Sequence, residues 1–264
     1  MTAERRDRAS TRGKRGLVVV AFLCACAGAA PPAQAQIVNT LRAFSDTPGW
    51  AAAVEGFLAV SSGNSEYFEI DVDAAVQYQS ERHRVRALGE HSRREVEGTD
   101  IARNTLAHLR HNYQLGSRVS TIVFAQVQRN PFRRVERRTL FGGGLRFDVF
   151  ARESFETAVG ATVIREAEEL TGGDGGAVIH ARMSYFASII GQPRDGVQID
   201  MVAFYQPLAD DYADARAYAA ASLRVDIVGG LYFVAAYDLV HDANPPAGVD
   251  PTDQRIRSGL GWKL

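Results

Sequence analysis

The chain has 264 residues, with 30 Lys or Arg, 31 Asp or Glu and a formal net charge of −1. This balance gives no indication of nucleic acid as the main partner. After residue 36, no uninterrupted apolar stretch reaches the length of about 18 residues that a membrane-spanning helix requires.

The N-terminal residues have the three parts of an export signal. Residues 1–15 contain six basic and two acidic side chains, and the apolar run GLVVVAFLCACAGAA follows at 16–30. Ala33-Gln34-Ala35 then has the small residues of a cleavage site, so we expect a cleaved signal peptide over residues 1–35. A retained apolar helix, twin-arginine export and lipid attachment at Cys26 are alternatives that the pattern favours less.

Cleavage before Gln36 changes the composition of the mature protein. Both cysteines, Cys24 and Cys26, leave with the signal, which excludes disulfides and thiolate chemistry. Loss of six bases and two acids leaves 24 basic and 29 acidic residues, a net charge of −5. Residues 36–49 are predicted to form a periplasmic lead-in.

Alternation of apolar and polar residues recurs along the rest of the chain. FEIDVDAAVQYQ at 68–79 is an example: Phe68, Ile70 and Val72 share one face, while Glu69 and Asp71 lie on the other. A period of two is typical of a strand with two different faces. The pattern predicts about twelve strands, near 50–61, 66–79, 82–92, 102–114, 118–128, 139–151, 155–166, 177–190, 197–206, 216–228, 231–240 and 254–264.

The connections between these strands alternate in length. Those after even-numbered strands are tight, such as GG at 229–230, and those after odd-numbered strands are longer, except for the first hairpin. Short turns on one side and longer loops on the other are typical of outer-membrane barrels. We therefore predict an all-β fold for residues 50–264, a transmembrane antiparallel up-and-down β-barrel of about 12 strands in the outer membrane of a Gram-negative bacterium.

The polar faces of the predicted strands carry many charges. A charge facing lipid costs about 2–4 kcal/mol at mid-depth, so the polar face is expected to turn inward. A soluble all-β protein, with the apolar face inside, is the alternative. The candidates for lining the lumen are Glu69, Asp71, Asp73, Arg84, Arg86, Arg110, Arg146, Asp148, Arg182, Arg224, Asp226, Arg255 and Arg257.

Two other segments suggest partners besides lipid. The last strand, RIRSGLGWKL, keeps its alternation to Leu264. We expect it to close the barrel against strand 1 and to be recognised by the barrel-assembly machinery.

The loop RNPFRRVERR contains five arginines, Arg129, Arg133, Arg134, Arg137 and Arg138. Guanidinium groups pair with phosphate, so this loop is a candidate for contact with lipopolysaccharide, or else a solvated loop paired with local acids.

Residues 122–147 carry a family resemblance. They contain Phe124-Ala125-Gln126, Asn130-Pro131-Phe132-Arg133, Arg138 and Gly142-Gly143-Gly144-Leu145. This segment resembles the family filed as domain of unknown function 481, which includes proteins described as salt-induced outer-membrane proteins. The resemblance implies an outer-membrane barrel, and the family provides no catalytic residues that could be assigned to positions of this chain. The C-terminal Leu264 and the additional arginines of the loop depart from the family pattern.

The six histidines do not form a catalytic or metal-binding pattern. His91 and Ser92 are neighbours in one strand and face opposite sides, and no histidine pair has a two-residue strand spacing. We therefore expect no enzyme, no metal and no cofactor. A narrow channel for small solutes or ions is the predicted function, with a plugged structural or envelope-stress barrel as the alternative and an outer-membrane enzyme less favoured.

Overall fold

The computed structural model describes residues 48–62, 66–152, 154–172, 176–246 and 248–264. The predicted signal peptide at 1–35 and residues 36–47 of the predicted lead-in lie outside the described residues. No helix in the described part of the chain is long and apolar enough to cross a membrane.

The described residues form twelve antiparallel strands that close into a barrel, each strand pairing with its neighbours in sequence. This confirms the predicted fold class. The strands are β1 (Gly49–Ser61), β2 (Tyr67–Gln79), β3 (His83–Val96), β4 (Thr99–Gln114), β5 (Val119–Asn130), β6 (Val135–Arg152), β7 (Phe155–Leu170), β8 (Val178–Arg194), β9 (Val197–Pro207), β10 (Ala215–Val228), β11 (Leu231–Asp242) and β12 (Thr252–Lys263).

The barrel has two different ends. Connections after even-numbered strands, such as 80–82 and 229–230, are tight, and we call their side the turn end. Connections after odd-numbered strands lie on the other side, the loop end, and include the segment 208–214.

Two connections at the loop end are shorter than the sequence pattern predicts. The predicted long loop after strand 3 is an extension of β3 and β4, which join at a turn of Glu97 and Gly98. Both residues have positive φ, 50° and 73°, as a tight hairpin turn requires. Arg93 forms ion pairs with Asp100 and Glu95 in this extension.

The connection from β5 to β6 is also compact. Pro131–Arg133 form a 3₁₀ turn, and the Asn130 side chain accepts a hydrogen bond from the Arg133 backbone N–H at 3.3 Å. Arg134 ends the turn with φ 60°. The predicted loop of ten residues therefore spans only 131–134, and its remaining residues belong to the strands.

The two faces of the sheet are inverted relative to a soluble protein. On β2, Asp71, Asp73 and Gln77 are buried inside the barrel, while Val72 and Val76 between them are 40% and 43% exposed. The same holds on β6 and β7, where Phe141 and Val163 face outward. An apolar exterior around a polar interior is what a lipid-embedded barrel requires.

Closure joins the first strand to the last. Ala53 lies opposite Lys263 and Gly56 opposite Leu260, and the Leu264 backbone N–H donates to the Ala52 carbonyl at 2.9 Å. This confirms the predicted pairing of the terminal strand with strand 1. Gly259 permits the close approach, because a Cβ there would collide with the Gly56 carbonyl.

The glycine run of β6 has a similar role within the wall. A Cβ at Gly144 would collide with the backbone of Ala161 on β7, whereas a Cβ at the adjacent Gly143 would lie 3.5 Å from the nearest atom, the Ile122 carbonyl oxygen. The β6–β7 pairing therefore depends on the absence of a side chain at Gly144.

We predict that Gly144→Ala destabilises the barrel by about 1–3 kcal/mol, because the added methyl group has no space. Gly143→Ala is the matched control and is expected to have little effect. The measurement is the temperature at which the fast-migrating folded band in SDS gels converts to the unfolded band. Equal conversion temperatures for the two variants would contradict the steric argument.

Candidate functional site: a charged barrel interior

The lumen-lining candidates named from the sequence all occupy inward-facing positions of their strands. Asp71, Asp73, Arg86, Arg110, Arg146 and Arg182 are buried, Asp226 is exposed at the turn end, and the remaining six are half-buried. Asp226 accepts from Lys263 Nζ at 2.8 Å. Alternation brings these side chains to one face because residues two apart share a side of a strand.

Glu166 is the centre of the charge network at the loop end. It is 0% exposed and accepts from Arg138 Nε at 2.5 Å, from Arg182 Nε at 2.7 Å and from Arg216. Its position continues the inward alternation of Thr162 and Ile164 on β7. We did not select Glu166 from the sequence, although this alternation was the signal that could have identified it.

Further acids extend this network across the barrel. Arg216 on β10 also pairs with Glu168 and Asp242, both at 2.9 Å, and Arg182 pairs with Asp214 at 3.0 Å. Since β8 and β9 lie between β7 and β10, the Glu166–Arg216 pair crosses the lumen instead of following the wall. We name Arg138, Glu166, Arg182, Arg216 and Asp242 the outer ionic layer.

A second bridge spans the loop end from wall to wall. Arg133, in the turn between β5 and β6, pairs with Asp253 at the start of β12, and their side chains are 4% and 1% exposed. In a closed barrel of twelve strands, β6 and β12 are opposite each other. The Arg133–Asp253 bridge therefore lies across the mouth of the barrel.

These contacts correct part of the predicted lipopolysaccharide site. Arg133 and Arg138 do not face outward, because they are held inside the barrel by Asp253 and Glu166. Arg129 and Arg137 lie on the outer surface, where they pair with Glu136 at 2.7 Å and Glu169 at 2.6 Å. Arg134 is exposed beside them. For these three residues, lipid contact stays a prediction.

Ion pairs also cross the lumen nearer the turn end. Arg224 on β10 donates to Glu55 on β1 at 2.9 Å and also pairs with Asp200. Tyr232 donates its hydroxyl to Glu55 at 3.0 Å. Glu55 and Asp200 were not selected from the sequence, yet they are the acids that partner Arg224.

The charges of β12 pair with those of β2. Arg255 pairs with Glu69 at 2.7 Å and with Asp71, and Arg257 approaches Asp73 at 3.5 Å. β1 lies between these two strands, so the guanidinium groups reach over it inside the lumen.

Hollow space lies at the turn end. A cavity of about 230 Å³ and another of about 750 Å³ share Arg84, Arg86 and Glu156 in their linings. A third cavity of about 30 Å³ lies deeper and shares Arg110 with the first. The described residues thus leave cavities between the turn end and the level of Arg110 and His108.

The described residues show no group of three or more His, Cys, Asp or Glu that could hold a metal ion. The histidines at 91 and 241 contact Thr105 and Thr252 across their strand pairs, at 3.0 and 2.8 Å.

We predict that Glu166→Gln destabilises the barrel by about 3–5 kcal/mol, because three guanidinium groups lose their shared carboxylate inside a buried site. Among the described residues, Arg138 Nη1 and Nη2 have no hydrogen-bond partner, so Glu166 is the main group that compensates the buried charge of Arg138. Glu169→Gln removes an exposed pair and should change stability by less than about 1 kcal/mol.

Thermal unfolding of both variants in detergent, followed by circular dichroism, measures this difference. Similar midpoints for the two variants would contradict the central role of Glu166.

Comparison with known proteins agrees with this architecture. A family model described as Protein of unknown function, DUF481, matches residues 56–264. No curated protein matches the sequence. The NanC porin structure superposes with a TM-score of 0.51 at 11% identity, over 81% of this chain and 100% of that chain.

The translocator domain of the autotransporter NalP from Neisseria meningitidis gives a TM-score of 0.44 at 13% identity, over 81% of this chain and 87% of that chain. At these identities the likeness to the porin is one of fold. The chain belongs to the DUF481 family of proteins of unknown function, as residues 122–147 suggested, and has the fold of an outer-membrane β-barrel.

Proposed function

We propose that this protein is a non-enzymatic barrel of the Gram-negative outer membrane that passes small ions or solutes through a narrow, charged lumen. The observation that carries the proposal is the hollow, polar interior at the turn end, with cavities of about 230 and 750 Å³ inside an apolar exterior. By the usual orientation of such barrels, the turn end faces the periplasm and the loop end faces outside.

The width of the path is limited at the loop end. Barrels of about 8 strands are filled by side chains and those of 16–18 strands enclose an aqueous channel, so twelve strands lie between. The outer ionic layer and the Arg133–Asp253 bridge occupy the lumen above the cavities. We therefore expect a small conductance with the constriction at the loop end.

The same charge network supports a second candidate. If the outer ionic layer does not rearrange, the barrel is plugged and has a structural or envelope-stress role without transport. Glu166 is fully buried among three arginines, which favours a rigid layer. Conductance distinguishes the two candidates.

We predict that the refolded wild-type protein gives small conductance steps in a planar bilayer, and that Arg133→Gln raises the step size by about twofold because it removes a side chain that bridges the mouth. Arg129→Gln is the matched control, since Arg129 lies on the outer surface. Its conductance should equal that of the wild type.

Silence of the wild type and of Arg133→Gln, with both proteins showing the fast-migrating folded band, would support the plugged barrel. Steps of equal size in all three proteins would support a channel whose constriction is not the Arg133–Asp253 bridge.

We also propose lipopolysaccharide as a partner of the outer surface near Arg129 and Arg137. Both pairs, Arg129–Glu136 and Arg137–Glu169, are exposed, and exposed ion pairs contribute about 0–1 kcal/mol, so phosphate can compete with the carboxylates. The double variant Arg129→Ala with Arg137→Ala should co-purify with less lipopolysaccharide than the wild type. An unchanged amount would count against this contact.

A further inference from the structure

The first and last strands pair over only part of their length. The ladder between β1 and β12 has four residue pairs and ends, toward the loop end, at Gly56–Leu260. β1 nevertheless pairs with β2 as far as Ser61, and β12 pairs with β11 as far as Thr252. Both strands therefore continue toward the loop end beyond their last mutual pair. We name residues 57–60 of β1 and 252–259 of β12 the open half-seam.

The outward side chains of the open half-seam are more exposed than those of the paired half. Leu58, Val60 and Ile256 are 68%, 67% and 74% exposed. On the same two strands, Val54 and Leu260 in the paired half are 51% and 52% exposed. A neighbouring strand covers part of each outward side chain, so the higher exposure is what a separation of β1 from β12 produces.

Side chains connect the strands on the inner side of the open half-seam, where the backbone ladder does not. Arg255 on β12 pairs with Glu69 at 2.7 Å and with Asp71, both on β2, and so reaches over β1. The guanidinium group of Arg257 lies 4.7 Å from the centre of the Phe57 ring. Because long side chains make these contacts, β1 and β12 can separate here without breaking a backbone ladder.

Polar groups that lack a partner lie along the same gap. Among the described residues, Arg255 Nε and Arg257 Nε are buried without a hydrogen-bond partner. The backbone groups of β12 that point toward β1 have no ladder partner on β1 between positions 252 and 259. Unsatisfied polar groups are costly at membrane depth. An occupant of the gap must therefore bring hydrogen-bonding groups with it.

The outer edge of the gap is amphipathic. Leu58, Val60 and Ile256 present aliphatic surface, while Gln254 and Ser258 face outward on either side of Ile256. An acyl chain with an ester or amide group matches this edge, because it combines an apolar tail with carbonyl oxygens that accept hydrogen bonds from guanidinium. Lipid is also the solvent of the outer face, so its chains are present at the gap without recruitment of a protein.

We propose that the open half-seam is a lateral opening of the barrel, occupied by an acyl chain of a membrane lipid whose carbonyl groups accept hydrogen bonds from Arg255 and Arg257. The chain lies between Leu58 and Ile256 and reaches the ring of Phe57, which is buried behind the seam. Since the outer ionic layer and the bridge at the mouth obstruct the axial path, this opening connects the loop-end lumen to the outer leaflet. The inference goes beyond the proposed channel, because it concerns a lipid ligand in the wall.

The first test measures how strongly lipids with brominated acyl chains quench a single tryptophan in the full refolded chain. Trp50→Phe and Trp262→Phe remove both native tryptophans, and Phe57→Trp supplies the reporter. Phe186→Trp is the matched control, because Phe186 is a buried inward residue of β8, which pairs with a strand on each side. We expect at least about twofold stronger quenching at position 57, since a continuous wall excludes lipid from its inner face. Equal quenching at the two positions would overturn the proposal.

Folding of each variant is checked by its fast-migrating band in SDS gels. A second test needs none of the tryptophan variants and uses cysteine pairs, after both native cysteines are replaced by alanine. Val54→Cys with Trp262→Cys places two thiols at a ladder pair. Val60→Cys with Ile256→Cys places them where the same register would continue. A disulfide requires Cβ atoms about 3.5–4.5 Å apart, so the first pair should crosslink at least about tenfold faster than the second.

The outcomes distinguish the possible occupants of the gap. Equal rates of disulfide formation would mean that the ladder is continuous and would overturn the opening. Disulfides between two chains through positions 60 and 256 would identify a second copy as the occupant and overturn the lipid.

Neither test depends on conductance. A silent barrel with strong quenching at position 57 would support the lateral opening and count against the channel. A conducting barrel with equal quenching at positions 57 and 186 would overturn the opening and leave the channel intact.

Discussion

The structure depends on the pairing of β1 with β12, because a sheet in lipid cannot leave backbone groups without hydrogen bonds. Closure removes both edges and divides the residues of every strand between an outside and an inside. The outside must be apolar, so the charges of the sequence have only the interior and the two ends to occupy. The buried arginines and acids are thus a consequence of closure, and the lumen is where the chemistry of this protein lies.

Within the lumen, the charges are distributed unevenly. At the loop end, arginines and acids neutralise each other around Glu166 and through the Arg133–Asp253 bridge. At the turn end, arginine exceeds carboxylate in the first cavity, and the space is hollow.

Particular residues show how much of the charged interior can be predicted from the alternation of apolar and polar residues alone. It places Asp71, Arg86 and Arg182 on inward faces, and the structure has them there. It also applies to Glu166, the last residue of the predicted strand 155–166, whereas β7 continues to Leu170. Alternation fails at Arg133, which lies in a turn, where no period of two applies. There the partner is Asp253, 120 residues away in sequence, which holds the guanidinium group inside the barrel.

The sequence by itself determined the strands, their order, the two faces and, through residues 122–147, the family. These properties are local, since both the alternation of a strand and the sequence of a turn depend on residues that are neighbours in the chain. Only the tertiary structure decided which charges meet. Glu166 contacts Arg216, and Glu55 contacts Arg224, because closure and strand register bring non-neighbouring strands to the same height in the lumen. That height depends on the stagger of all twelve strands together, a quantity that no single stretch of sequence contains.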